Sequence, residues 1–141
     1  MAPHLGHVHL KVRDIDRAVE FYTDVFGLAV TERVGRYAFC SFGEHHHDVA
    51  LQGVGDEAPE SEPGVGLYHA AFEIEDAAEL RSVYETLRER GVDVSPVDHG
   101  ISKALYFDDP SGNGLEVYLD TRESVEEEWA GTNRRFDPTA L

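Results

Sequence analysis

The chain repeats itself. "LGHVHLKVRDIDRAVEFYTDVFGLAV" lies over "LYHAAFEIEDAAELRSVYETLRERGVDV" with His7 opposite His69 and Asp14 opposite Asp76, an offset of 62 residues up to a two-residue slip near the end of the predicted helix. One supersecondary unit used twice constrains the fold more than any single motif does. In each half a short strand leads to an Asp that can cap a helix. Apolar residues then follow at helical spacing: Ile15, Ala18, Val19, Tyr22 and Val25 in the first half, Leu80, Val83, Tyr84 and Leu87 in the second. Asp76 and Glu79 have the spacing of a capping box, and Gly27 and Gly91 stand where a left-handed helix stop is expected. Alternating segments follow each helix, "LAVTERV", "RYAFCSFG" and "DVALQ", then "VDVSPV", "KALYFDD" and "GLEVYLD", so each half reads β-α-β-β-β.

A module this short cannot bury both faces of its own sheet, so the two are expected to combine. The predicted fold class is α+β: paired βαβββ modules whose strands curl into one cup-shaped mixed sheet with the helices outside. With 141 residues the chain suits a single domain. We expect module one over about 4–54, a Gly-, Pro- and acid-rich connector over about 55–66, module two over about 67–120 and an acidic tail over 121–141. "TRESVEEEWAG" in that tail predicts a short acidic helix, and "TNRRFDPTAL" has no usable periodicity.

Charge narrows the partners. With 28 Asp and Glu against 12 Lys and Arg, the formal net charge is -16. Such a field repels phosphate backbones and anionic lipid, so neither nucleic acid nor a membrane is expected as a partner. Only Lys11 and Lys103 are lysines. A carboxylate-rich, lysine-poor surface fits a plain solubilising coat and equally a salt-adapted, halophile protein. The single cysteine, Cys40, has no partner, and there is neither a signal-like N-terminus nor a run of 18 apolar residues. A soluble cytoplasmic protein is expected.

Three polar residues interrupt apolar segments: His7 on the first strand, His69 at the matching place in module two, and Glu116 in "GLEVYL". Two symmetry-related imidazoles and a carboxylate suit a divalent metal with open coordination positions, Fe(II) among them. The alternative is two hydrogen-bonded core histidines and an edge carboxylate. His9, whose counterpart is Ala71, reads as packing near the site, and His4 as solvated.

The stretches "LGHVHLKVRDIDRAVEFYTDVFGL", "GLYHAAFEI" and "YFDDPSGNGLEVYLD" resemble the vicinal oxygen chelate superfamily, which includes glyoxalase I, bleomycin-resistance proteins, fosfomycin-resistance enzymes, methylmalonyl-CoA epimerase and type I extradiol dioxygenases. The resemblance spans residues 5 to about 120, and "DPSGNGLEVY" is its most specific piece. Within the superfamily, "HDVAL" at 47–51 is similar to the segment of catechol 2,3-dioxygenases in which a catalytic His precedes a strand. The resemblance thus selects His47 from the run His45, His46 and His47, leaving the other two as solvated loop. "DHGISKALYFDDPSGNGLEVY" is similar to the same family's substrate-site stretch and implies roles for His99 and Tyr106, with Tyr106 ten residues before Glu116. Between His99 and Tyr106 the chain is two residues shorter than the family pattern.

The resemblance implies an Fe(II) enzyme, with Mn(II) or another divalent metal as alternatives, that opens a small aromatic catechol with O2. Its metal ligands would be His7, His69 and Glu116, and its catalytic residues His47, His99 and Tyr106. The fold leads us to expect a homodimer. The second reading is a glyoxalase I- or epimerase-like lyase or isomerase, which needs a fourth ligand at the module-one place equivalent to Glu116. Setting "VALQ" against "LEVY" puts Ala50 there, and a shift of one or two residues would instead bring in Gln52. A metal-free antibiotic-binding protein is the third.

Overall fold

The computed structural model describes residues 1–141. Its strands are β1 (Val8–Val12), β2 (Ala29–Val34), β3 (Tyr37–Ser41), β4 (Val49–Gly53), β5 (Ala70–Ile74), β6 (Ser95–Asp98), β7 (Ser102–Asp108), β8 (Gly114–Asp120) and β9 (Arg134–Arg135). Helix α1 spans Ile15–Phe26 and α2 spans Ala77–Glu89. The β-α-β-β-β order is present twice. The strands form two open mixed sheets, one per module, ordered β1-β4-β3-β2 and β5-β8-β7-β6-β9. Each first strand pairs in parallel with the last strand of the β-α-β-β-β unit of its own module and forms one edge of that module's sheet.

The chain divides into two compact units. The first comprises Met1–Gly64 together with Asp109–Asn113. Asp14 caps α1, its carboxylate accepting from the amides of Asp16 and Arg17 at 3.0 and 3.2 Å. Gly27 ends the helix at φ 71°, a conformation that costs a residue with a Cβ more than it costs glycine. Ala18, Phe21, Tyr22 and Val25 form the buried stripe of α1, and Ala38, Cys40, Val49 and Leu51 are buried on β3 and β4. Fully burying an aliphatic or aromatic side chain contributes about 1.5–3 kcal/mol.

Tyr22 carries a hydroxyl into this core, and the "DPSGN" segment answers it. Tyr22 donates to Asp109 Oδ2 at 2.8 Å, while Asp109 Oδ1 accepts from the amides of Ser111 and Asn113. Ser111 Oγ accepts from the Arg13 amide at 2.8 Å, and Asn113 Nδ2 donates to the Lys11 carbonyl at 2.8 Å. Asp109 is buried, and both its oxygens receive hydrogen bonds, as a buried carboxylate requires. The "DPSGN" stretch is therefore a structural clasp on β1 and α1.

The second unit comprises Val65–Asp108 and Gly114–Leu141. Asp76 caps α2 through the Glu79 amide, and Glu79 Oε2 reaches back to the Glu75 amide. Leu80 and Leu87 are the buried face of α2. On β7 and β8, Leu105, Phe107, Leu115 and Val117 are buried, and the period-two alternation turns Tyr106, Glu116 and Tyr118 to the other face.

The tail departs from expectation. No helix forms over 121–133: Val125 and Trp129 are the only large apolar side chains available, both stay exposed, and Glu126, Glu127 and Glu128 crowd like charges together. Arg134–Arg135 instead add β9 to β6, and a 3-10 turn at Pro138–Ala140 buries Pro138. No helix is long and apolar enough to cross a membrane.

Candidate functional site

In the second unit, four of the six selected residues form a connected set. His69 immediately precedes β5, and its Nε2 lies 3.4 Å from Glu116 Oε1. Glu116 faces Tyr106 directly across the β7–β8 ladder, and the rings of His69 and Tyr106 are 5.6 Å apart. The Tyr106 hydroxyl lies 2.8 Å from His99 Nε2. The shortened loop after His99 thus still delivers its ring to Tyr106.

The supports of His99 were not legible in the sequence. Its Nδ1 lies 2.7 Å from Asn133 Oδ1 and 3.3 Å from the Thr132 carbonyl. A carbonyl only accepts, so Nδ1 carries the proton, and in the neutral ring Nε2 is left to accept from Tyr106. Trp129 stands edge-on to His99 at 6.3 Å and donates from Nε1 to the Thr132 carbonyl at 3.0 Å. Burial, the hydrogen bond to Glu116 and that carboxylate's charge push the Tyr106 phenol well above its ordinary value. Its single proton thus has two acceptors, His99 and Glu116.

Gly114 makes the entry to β5 possible. A Cβ there would stand 2.6 Å from the Tyr68 carbonyl oxygen and 3.5 Å from His69 Cβ, so the backbone next to His69 can approach β8 only because position 114 has no side chain.

In the first unit, His7 and His47 come together with ring centroids 4.5 Å apart, and Phe39 flanks His47 at 5.0 Å. Desolvation, and then the neighbouring His7 and His46, lower the His47 pKa from 6.5. His46 is exposed in its loop, as expected, but its ring is held: Nδ1 lies 2.9 Å from His47 Nδ1 and Nε2 lies 3.0 Å from Glu32 Oε1. His45 is exposed, as are His4 and His9. His7 is exposed and His69 half-buried, so neither is a buried core histidine.

Imidazole and carboxylate donors at 3.4 Å fall inside the span of about 4 Å available to two donors each about 2.1 Å from one ion, so the His69–Glu116 pair fits part of a divalent-metal site. Within neither unit do three His, Cys, Asp or Glu side chains gather as a complete ligand set.

Residues 4–117 match the family model for the Glyoxalase/Bleomycin resistance protein/Dioxygenase superfamily. The chain belongs to that superfamily. Among its relatives, biphenyl-2,3-diol 1,2-dioxygenase 3 of Rhodococcus globerulus is 35% identical over 90% of this chain and 68% of its own. Catechol-2,3-dioxygenase of Bacillus subtilis is 34% identical over 86% of this chain, which spans 43% of that protein. Lactoylglutathione lyases and a metallothiol transferase FosB also match. A solved superfamily domain from Frankia sp. EAN1pec superimposes with a TM-score of 0.75 at 23% identity, covering 88% of this chain and 96% of that one. The expected α+β, paired βαβββ fold is therefore the superfamily's fold.

Strand register fixes which residue of β4 corresponds to Glu116 of β8. Val8, next to His7, pairs with Val49, just as Ala70, next to His69, pairs with Leu115. The next residues, Ala50 and Glu116, are therefore equivalent, and the slip that would substitute Gln52 is absent. Gln52 lies two residues further along β4, about 7 Å away.

Proposed function

We propose that this chain is a non-haem Fe(II)-dependent extradiol dioxygenase that opens a catechol-type aromatic with O2. The observation that carries the reading is the pairing of a methyl group at position 50 with the intact set His69, Glu116, Tyr106 and His99. A glyoxalase- or epimerase-type site needs a protein oxygen where Ala50 stands. A catechol needs that position free, because its two oxygens must occupy coordination places themselves.

His7, His69 and Glu116 would hold the metal: two neutral imidazoles and a carboxylate leave a bound divalent iron with a single positive charge and open places. When bound, the iron supplies the redox chemistry between the diol and O2. Overall, one ring C–C bond beside the diol breaks and both atoms of O2 enter the product. The ring is oxidised and O2 is reduced, with no further reductant.

The protein's own groups manage protons and position. A catechol hydroxyl must lose its proton as it binds. His99 Nε2, held as an acceptor by the hydrogen bonds at Nδ1, is suited to take it, directly or through the Tyr106 hydroxyl. Tyr106 stays protonated because its pKa is raised, so its hydroxyl can accept a hydrogen bond from the bound diol while donating to His99 Nε2. His47 would act on the oxygen-derived side, taking up and then returning one proton at Nε2, a task suited to an imidazole that is neutral at physiological pH.

Substitution at position 47 tests this reading. His47→Ala is expected to keep metal and catechol binding and lose turnover. Full turnover by His47→Ala would overturn the assignment. The family leads us to propose a homodimer as well, checked by sedimentation.

A further inference from the structure

The geometry points to Glu32 and His46 as positioning residues that set the tautomer and orientation of His47. This inference rests on the ring-cleavage reading for its catalytic consequence, though not for the geometry itself.

The device begins with an irregularity. The β2–β3 ladder pairs Val30 with Cys40 and then Glu32 with Phe39, so the register shifts between Val30 and Glu32, bypassing Thr31. A bulge of this kind re-aims side chains. Here Thr31 Oγ1 donates to the His46 carbonyl, 2.6 Å away, and Glu32 Oε1 reaches His46 Nε2 at 3.0 Å. His46 is thus held by its backbone and its ring from two adjacent residues of β2. The rest of the loop is fastened too: Ser41 Oγ donates to the His45 carbonyl at 2.5 Å, and Asp48 Oδ2 accepts from the Phe42 amide at 2.8 Å.

Proton bookkeeping then decides what His47 presents. An ionised carboxylate only accepts, so the Glu32 contact requires a proton on His46 Nε2. In the neutral ring, His46 Nδ1 is therefore bare. It lies 2.9 Å from His47 Nδ1, and one proton must lie between the two nitrogens, so His47 Nδ1 carries it and donates. Neutral His47 is left with a bare Nε2, the form that can accept a proton. A carboxylate orienting one imidazole, which orients a second, extends by one ring the logic by which an Asp orients the histidine of a hydrolase triad. Phe39 limits the alternatives for both rings, with centroids 5.6 Å from His46 and 5.0 Å from His47.

The test is nitrogen NMR of the metal-free protein labelled with 15N-histidine, above the pH at which the histidines are neutral. Wild-type His47 is expected to carry its proton on Nδ1. His46→Ala should shift His47 toward the Nε2-protonated form, Glu32→Ala should shift it part-way, and His46→Gln, whose side-chain oxygen can still accept from Nδ1, should restore the wild-type tautomer. An Nε2-protonated His47 in the wild type, or a His47 spectrum unchanged by His46→Ala, would overturn the inference. With the Fe(II)-loaded protein and a catechol, His46→Ala is expected to lower kcat by about tenfold or more with little change in KM, and His46→Gln to recover most of it. An Nδ1-protonated His47 in a protein that opens no catechol would support the positioning while removing the proposed reaction, so the two failures are distinguishable.

Discussion

His99 Nε2 and the Tyr106 hydroxyl oxygen stand 2.8 Å apart, and the Thr132 carbonyl behind His99 fixes which of the two donates. Removing the hydroxyl in Tyr106→Phe is expected to cost about 10²-fold in kcat, the usual scale for a lost proton-handling group, with metal content unchanged. Steady-state turnover and metal analysis on the same preparation check this.

The support behind His99 makes a milder prediction. Asn133→Leu leaves the Thr132 carbonyl in place but removes the 2.7 Å partner of Nδ1. A loss of about tenfold in kcat/KM is expected, the lower end of what orienting partners contribute. Restoration by Asn133→Asp, which also accepts from Nδ1, would separate orientation from packing.

Gly114→Ala should act on fold and metal together. The added Cβ meets the Tyr68 carbonyl at 2.6 Å, so the chain entering β5 must move. A destabilisation of about 1–3 kcal/mol is expected, with weakened metal binding because His69 is the next residue. Urea unfolding and metal titration read the two effects.

The clasp between Tyr22 and Asp109 predicts a pH dependence. Burial first, then the Asp109 carboxylate, raise the Tyr22 pKa well above 10.0. A phenol whose folded pKa is raised stabilises the fold fully below its unfolded value and loses that contribution as pH climbs through the folded one. Stability should therefore hold up to about pH 10 and fall beyond it. Tyr22→Phe should cost about 1–3 kcal/mol at neutral pH and flatten the alkaline fall, as measured by urea unfolding across pH.

Most of the fold was legible because it rests on local physics repeated twice. Asp14, Asp76 and Gly27 act as caps, and the apolar spacings bury the expected faces of α1 and α2. The tail was not legible because β9 forms through pairing with β6, a partner distant in sequence that leaves no periodic trace in "TNRRFDPTAL". At the site, polar residues in apolar segments marked His69 and Glu116, because strand alternation is visible in sequence, whereas Tyr106 and His99 were reached through the family resemblance of their stretch. Asn133, Thr132 and Glu32 escaped notice: each acts through a contact spanning 14 to 34 residues, from segments that resemble ordinary surface. The run of three histidines hid His46 for a different reason, since only the bulge at Thr31 turns β2 toward it.

The most direct test of ring cleavage is to load the protein anaerobically with Fe(II), add a series of catechols, admit air, and follow oxygen uptake together with the yellow ring-opened product. The account predicts that oxygen is consumed and product formed in equal amounts. Metal retained without oxygen uptake across the series, while the glutathione adduct of methylglyoxal is isomerised, would contradict it.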